Sequence, residues 1–256
     1  MKQLYVVSTG PGDPALLPPA ARQALAHSSD IVAYGLYLSL LGDLVADKQQ
    51  HHLALGQETE RARLSLDLAA AGKTTALVSS GDVGIFAMAT LVFELLDRAE
   101  QGLEPESAWS EVEIQVIPGI SAMQAAAAKL GATLGHDFCA ISLSDLLTPW
   151  AVIEKRIQAV ASADFVISFY NPVSKKRRWQ LAAAKTILMA HRSPETPVIL
   201  GKNLTRENEQ VSVITLAQLQ VEDVDMLTLV QIGSSQTRCI QVGERQWVYT
   251  PRGYYA

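Results

Sequence analysis

Cysteine is almost missing from this chain: Cys139 and Cys239 are the only two in 256 residues. They match no C-x-x-C or metal-ligand spacing, which excludes a disulfide framework and an iron–sulfur cluster. Charged residues make up only 18% and aromatics 6%, while apolar residues reach 48%. That balance excludes a disordered chain and predicts an ample core. The net charge of −5 favours neither nucleic acid nor an anionic membrane surface. Long hydrophobic runs are absent too; none reaches the roughly 18 apolar residues of a membrane helix. The apolar run in the opening MKQLYVVSTGPGD is too short for a signal peptide. Histidines are sparse, no Ser-His-Asp or zinc pattern emerges, and no metal is expected. These absences predict a soluble cytoplasmic protein.

What is present is alternation. Short β-rich runs at Leu4–Ser8, Asp30–Tyr34, Thr75–Ser79 and Glu113–Ile117 are separated by helical patterns at Ala15–His27, Glu58–Ala71 and Ile85–Gln101. This predicts an α/β unit with a mostly parallel sheet. Further strands are expected at Phe138–Leu143, Asp164–Tyr170, Pro197–Lys202, Gln210–Ile214 and Leu227–Gly233. Helices are expected at Ile120–Leu130, Pro149–Ala161 and Ser174–His191. The closer spacing of the last strands predicts a mixed second sheet. The Pro118–Gly119 turn marks the expected boundary between an N-terminal α/β domain, 1–118, and a C-terminal one, 119–256, sharing a rigid cleft. The stretch around Pro105 reads as a polar surface excursion.

Two glycine loops follow strands: Thr9-Gly10-Pro11-Gly12-Asp13 and Ser80-Gly81-Asp82-Val83-Gly84. Both fail the G-x-G-x-x-G fingerprint, and Gly72-Lys73-Thr74 precedes its strand, so it is no P-loop. Asp82 would repel a phosphate. It either caps a helix start or faces a ligand bearing hydroxyl, amine or cationic groups. S-adenosylmethionine has that chemistry; so would a sugar or an amino acid. A third loop, Ile117-Pro118-Gly119-Ile120-Ser121-Ala122, opens an alanine-rich helix that provides either tight packing or clearance for a ligand. In the second half, Phe169–Pro172, Gly201–Arg206 and Gly233–Arg238 are polar strand ends expected to line one sheet edge. Lys175-Lys176-Arg177-Arg178 is a solvated helix face, a contact for an acidic small molecule or, more weakly for want of an aromatic-rich basic surface, a nucleic-acid contact. Lys202, Arg206, Arg238 and Arg252, on separate loops, are candidates to join the small-molecule contact. His136, in a turn after Gly135, is a surface residue or a site residue.

The stretches TGPGD, SSGDVGIFAMA, VIPGISAMQAAAAKLGA, GHDFCAISLSDLLTPW, FYNPVSKKR, GKNLTRENE and GSSQTR resemble the tetrapyrrole methylases of cobalamin biosynthesis. SLSDLLTPW, FYNPVSKKR and NLTRENE are specific to the branch that methylates C-17 of precorrin-3B and contracts the ring. The likeness runs from Leu4 to about Arg238. It implies two α/β domains with S-adenosylmethionine between them, a homodimer, and a precorrin substrate. By motif, Gly81, Asp82, Val83, Ile85, Phe86, Ser121 and Ala122 are expected to line the donor, with Tyr170, Asn171, Asn203 and Thr228. Asp13, Tyr170 and His136 are the candidates for the proton movement that ring contraction needs. Lys175, Arg177, Lys202 and Arg206 are expected to meet the substrate's carboxylate arms. Alternatives are the cobalt-containing precursor, another ring carbon, or a non-catalytic tetrapyrrole carrier. The family usually has proline where this chain has Val83, so Val83→Pro is expected to be tolerated.

Overall fold

QLYVVS, with apolar side chains pointing to both faces, cannot sit at a solvated surface; it forms the buried strand β1 (Gln3–Ser8). In the computed structural model, which describes residues 2–104 and 108–254, β1 joins β2 (Asp30–Ala33), β3 (Gln49–His52), β4 (Thr74–Ser79) and β5 (Glu113–Ile117). These five strands form one sheet of order β3-β2-β4-β1-β5, with every pairing parallel. Pro105, centre of the expected polar excursion, lies outside the described residues.

Each face of this sheet has its own core. Val7, Ile31 and Val78 pack with helices α1 (Pro19–His27) and α2 (Gly35–Leu41). Leu4, Val6 and Leu77 pack with α3 (Glu58–Ala70) and α4 (Met88–Glu100). Adjacent strands β1 and β4 therefore send their following helices to opposite faces. That is the switch point of a doubly wound sheet, where ligands bind at the carboxyl ends of strands.

The chain divides into Met1–Ser121 and Ala122–Ala256, just past the Pro118–Gly119 turn. The second unit holds a mixed sheet of order β10-β9-β11-β8-β7: β7 (Phe138–Ser142), β8 (Val166–Tyr170), β9 (Pro197–Lys202), β10 (Gln210–Thr215) and β11 (Thr228–Ile232). Helices α6 (Trp150–Ser162) and α7 (Trp179–Met189) cover one face through Ile153, Ile157, Leu181 and Leu188 against Ile167, Phe169, Val198 and Val230. The alanine-rich α5 (Ala122–Leu130) packs on the same sheet with Ala125, Ala126 and Ala127 buried, so its small side chains serve close packing. A short sheet of β6 (Gly131–Ala132), β12 (Arg238–Val242) and β13 (Arg245–Tyr249) completes the unit.

Several expected elements differ for physical reasons. The expected helix Ala15–His27 breaks into a 3-10 turn, Pro14–Leu16, and α1, because Pro18 before Pro19 is extended. The helix expected from Ile85 begins at Met88, since Phe86 has φ +50°. The polar edge strand β3 and the short helix α2 lack a periodic apolar signal, so their sequence does not declare them. The hairpin β12–β13 lacks it too, with every residue of β12 exposed.

Candidate active site

Three loops gather at the carboxyl ends of β1, β4 and β5. The β1 and β4 loops are stitched together: Gly10 N–H donates to Gly81 O at 3.1 Å and Gly81 N–H to Gly10 O at 2.7 Å. Asp82 then reaches across to the β5 loop. Its carboxylate accepts Gly84 N–H at 2.7 Å and Gly119 N–H at 2.8 Å. Val83 N–H donates to Ser8 Oγ at 2.9 Å. A Cβ on Gly119 would lie 2.5 Å from Ser8 Cβ and 2.7 Å from Gly81 O, so only glycine lets these loops approach.

This wiring accounts for the aspartate in a glycine loop. A phosphate cradle needs backbone N–H groups aimed outward. Here those of Gly10, Gly81, Val83, Gly84 and Gly119 are all spent on protein acceptors. The three loops also carry Asp13 and Asp82 and no lysine or arginine. The donor set thus disfavours a phosphate and fits a cationic, phosphate-free ligand. Asp82 is neither a plain helix cap nor simply an outward ligand group; it ties two loops together. Phe86, 53% exposed, projects from the same segment in a backbone conformation uncommon for a bulky residue. Ile85 is half-buried and Ser121 buried. Asp13 accepts Ala15 N–H at 2.8 Å as the cap of the Pro14–Leu16 turn.

The second unit has a comparable edge. β7 and β8 run parallel with Ser142 opposite Tyr170, and Thr228 lies opposite Lys202. Ser142, Tyr170, Asn171, Lys202, Asn203 and Thr228 thus share one end of the sheet. Asn171 and Asn203 have φ of +49° and +50°, a region asparagine tolerates in tight turns. Asn171 donates through Nδ2 to Ser142 Oγ at 3.0 Å, and the Tyr170 hydroxyl accepts Met123 N–H at 3.2 Å. Met123 follows Ala122, the first residue of α5. Thr228 Oγ1 donates to Asp225 at 2.8 Å, and Lys202 Nζ pairs with Asp225 at 2.7 Å. Burial alone would raise the Asp225 carboxyl. Lys202, Thr228 and the Leu227 N–H outweigh it and hold it below its ordinary range. A cavity of about 310 Å³ opens beside this pair, lined by Lys202, Gln210, Ser212, Asp223 and Thr228 among others.

A family model described as "Tetrapyrrole (Corrin/Porphyrin) Methylases" matches residues 3–220. The chain belongs to the tetrapyrrole methylase family. It is 42% identical to the precorrin-3B C(17)-methyltransferase of a Sinorhizobium species, covering 98% of this chain and 96% of that protein. It is 44% identical to a probable cobalt-factor III C(17)-methyltransferase of Salmonella typhimurium, covering 98% and 99%. CobIJ of Mycobacterium tuberculosis is 44% identical over 97% of this chain, which spans 48%, about half, of that relative's length. The crystal structure of the methyltransferase CobJ superposes with a TM-score of 0.88 at 39% identity, covering 97% of this chain and 99% of that one.

Within this methylase fold, three sequence expectations change. The junctions Phe169–Pro172 and Gly201–Arg206 share a sheet end, but Gly233–Arg238 lies at the opposite end. β11 runs antiparallel to β8 and β9, so its start, not its finish, faces that way. His136 precedes β7 and stacks edge-on against Tyr254, ring centroids 5.3 Å apart. Phe138 pairs with Val166, at the far end of β8 from Tyr170, so His136 and Tyr170 do not meet. Arg177 is not on a helix face; it lies in the loop before α7, its side chain only 11% exposed. It donates to Leu143 O at 3.0 Å and Asn171 O at 2.6 Å, with Asp145 at 3.9 Å. Burial lowers its pKa against the pull of Asp145. It braces the site edge. Lys175 is exposed and Arg206 half-buried. Ser8, Asp145 and Asp225 join the site edges without being among the residues that the sequence singles out. Ser8 alone carried a signal, a hydroxyl ending an apolar strand next to TGPGD. Among the described residues no helix is long and apolar enough to cross a membrane, and no His, Cys, Asp and Glu cluster is placed to hold a metal.

Proposed function

We propose that this chain is an S-adenosylmethionine-dependent C-methyltransferase that methylates C-17 of precorrin-3B with contraction of the macrocycle, as a cytoplasmic homodimer. The observation that carries this reading is the 42% identity across almost the whole length of a relative named for that activity. The phosphate-excluding loop set supports it independently. When bound, the donor supplies an electrophilic methyl group, and an electron-rich ring carbon is the nucleophile, so no protein nucleophile is required. The chain's own task is to hold both molecules aligned and keep water out. Gly81, Asp82, Ile85, Phe86, Ser121 and Ala122 are proposed to hold the donor, together with Tyr170, Asn171, Asn203 and Thr228. Val83, expected to join them, is fully buried with its N–H on Ser8 and its C=O on the Ala89 N–H, and supports the loop from behind. Asp13 and Tyr170 remain the proposed groups for proton movement. Lys175 and Arg206 are the proposed partners of the carboxylate arms. The cation of Lys202 is already matched by Asp225.

The test is calorimetry with S-adenosylmethionine and S-adenosylhomocysteine, followed by mass spectrometry after turnover of precorrin-3B and, separately, cobalt-factor III. One added methyl at C-17 is expected. The preferred substrate decides between the cobalt-free ring and the cobalt-bearing one that the Salmonella relative's name indicates. Donor binding with no tetrapyrrole product would overturn the assignment.

A further inference from the structure

The branch-specific stretch SLSDLLTPW anchors itself in the core through Leu143, which is fully buried, but its other two leucines take no part in that core. It forms the loop between β7 and α6, and its apolar tips face solvent: Leu146 is 84% and Leu147 98% exposed. Trp179, 53% exposed, stacks edge-on with Trp150 at 4.8 Å beside this loop. Two adjacent leucines held this far out of a chain with an ample core are unfavourable unless something covers them.

The loop is also braced from behind. Arg177 grips Leu143 O, and Gln180 Nε2 donates to Asp145 Oδ2 at 2.9 Å. Leu143 N–H donates to Tyr170 O at 2.9 Å, fixing the base of the loop to the sheet end that carries Tyr170 and Asn171. The apolar tips therefore stand at the proposed site edge. The exposed Lys175 and Lys176 lie in the segment that contains Arg177, the residue gripping the loop.

We infer that Leu146, Leu147 and Trp179 form an apolar lip for the flat face of the tetrapyrrole macrocycle, with Lys175 and Lys176 meeting its carboxylate arms. The charge pattern selects this occupant: an apolar surface bordered by cations matches a flat apolar ring rimmed with anions. The inference rests on the function proposed above and specifies which part of the chain chooses the substrate.

The test titrates the whole protein, without donor, with uroporphyrin III, following quenching of tryptophan fluorescence, alongside calorimetry with S-adenosylhomocysteine. Leu146→Ser/Leu147→Ser is expected to weaken tetrapyrrole binding about tenfold or more, roughly the loss of one leucine's burial. Donor affinity and urea midpoint should not change, because both side chains are exposed. Leu147→Glu and Leu147→Lys form the second arm. They are similarly polar, so a polyanionic ligand is identified by a larger loss for glutamate. Normal tetrapyrrole binding in the serine variant, while the wild type still methylates precorrin-3B, overturns the lip and leaves the function standing. A changed sedimentation mass with unchanged affinity also overturns it, assigning the surface to a second copy of the chain. A wild-type protein that neither binds nor methylates tetrapyrrole overturns the underlying function, and the lip with it.

Discussion

At Asp82, a single carboxylate joins the loops after β4 and β5 by accepting Gly84 and Gly119 N–H groups. A hydrogen bond to a charged group is worth about 1.5–3 kcal/mol when shielded. Asp82 is half-buried, so the lower end applies. Asp82→Ala is therefore expected to lower stability by about 1–2 kcal/mol and to weaken donor binding together with it, because the loops that hold the donor come apart. Asp82→Asn keeps one acceptor oxygen and should fall between. Urea denaturation and S-adenosylhomocysteine calorimetry on the same samples check this. A loss of affinity with no loss of stability would mean that Asp82 contacts the ligand and ties nothing.

The segment from the end of β1 to the start of α4 shows how a neighbouring element changes the meaning of a residue. From sequence, Val83→Pro promises a gain of about 0.4–1 kcal/mol through the unfolded chain. In the structure the Val83 N–H is buried and donates to Ser8 Oγ. Removing that donor strands a buried hydroxyl at a cost of about 1–3 kcal/mol, which exceeds the gain. Val83→Pro is accordingly expected to destabilise, reversing the sequence expectation. In a Ser8→Ala background the same substitution should cost much less, because no acceptor is left unpaired. A double-mutant cycle by chemical denaturation measures the coupling; additive effects would show that the Ser8–Val83 bond contributes nothing.

Across the whole molecule, carboxylates in both units are held ionised. Arg63 and Arg98 bring Glu104 from an ordinary 4.5 down to about 2. Burial raises the pKa of Asp30, but His51, Ser29 and Lys73 outweigh it and the net shift is downward. Asp164 is likewise lowered on balance, against its burial, by Ser235, Tyr254 and Arg192. For a depressed carboxyl the unfolded chain binds protons first as pH falls. These groups contribute their full stability above their unfolded values and lose it as pH falls through the folded ones. The urea midpoint is thus expected to hold from pH 7 to about 5.5 and then to drop steadily between about 4.5 and 2. Glu104→Gln should flatten the lower part of that drop; an unchanged slope would show that the Arg63–Glu104–Arg98 cluster has no part in it.

The sequence alone determined the features that depend on local order. Short β-rich apolar runs set β1, β4, β5 and β9 almost to the residue. The three glycine-bearing loops follow strands of a parallel sheet, so their gathering at one edge was legible from the alternation of β and α. The family, too, was legible, since its motifs are contiguous. The tertiary structure decided what depends on strand direction and on partners distant in sequence. Nothing in LTLVQIGSSQTR declares that β11 runs antiparallel, yet that reversal places Thr228 at the site edge and removes Gly233–Arg238 from it. Nothing in YNPVSKKR shows that Arg177 turns back onto Leu143 and Asn171. Nor does SSGDVG reveal that its N–H groups are satisfied by Ser8, Gly10 and Asp82. A hydrogen bond's energy depends on which acceptor is nearest in space, and residues 75 apart, such as Ser8 and Val83, become nearest only when the sheet has formed.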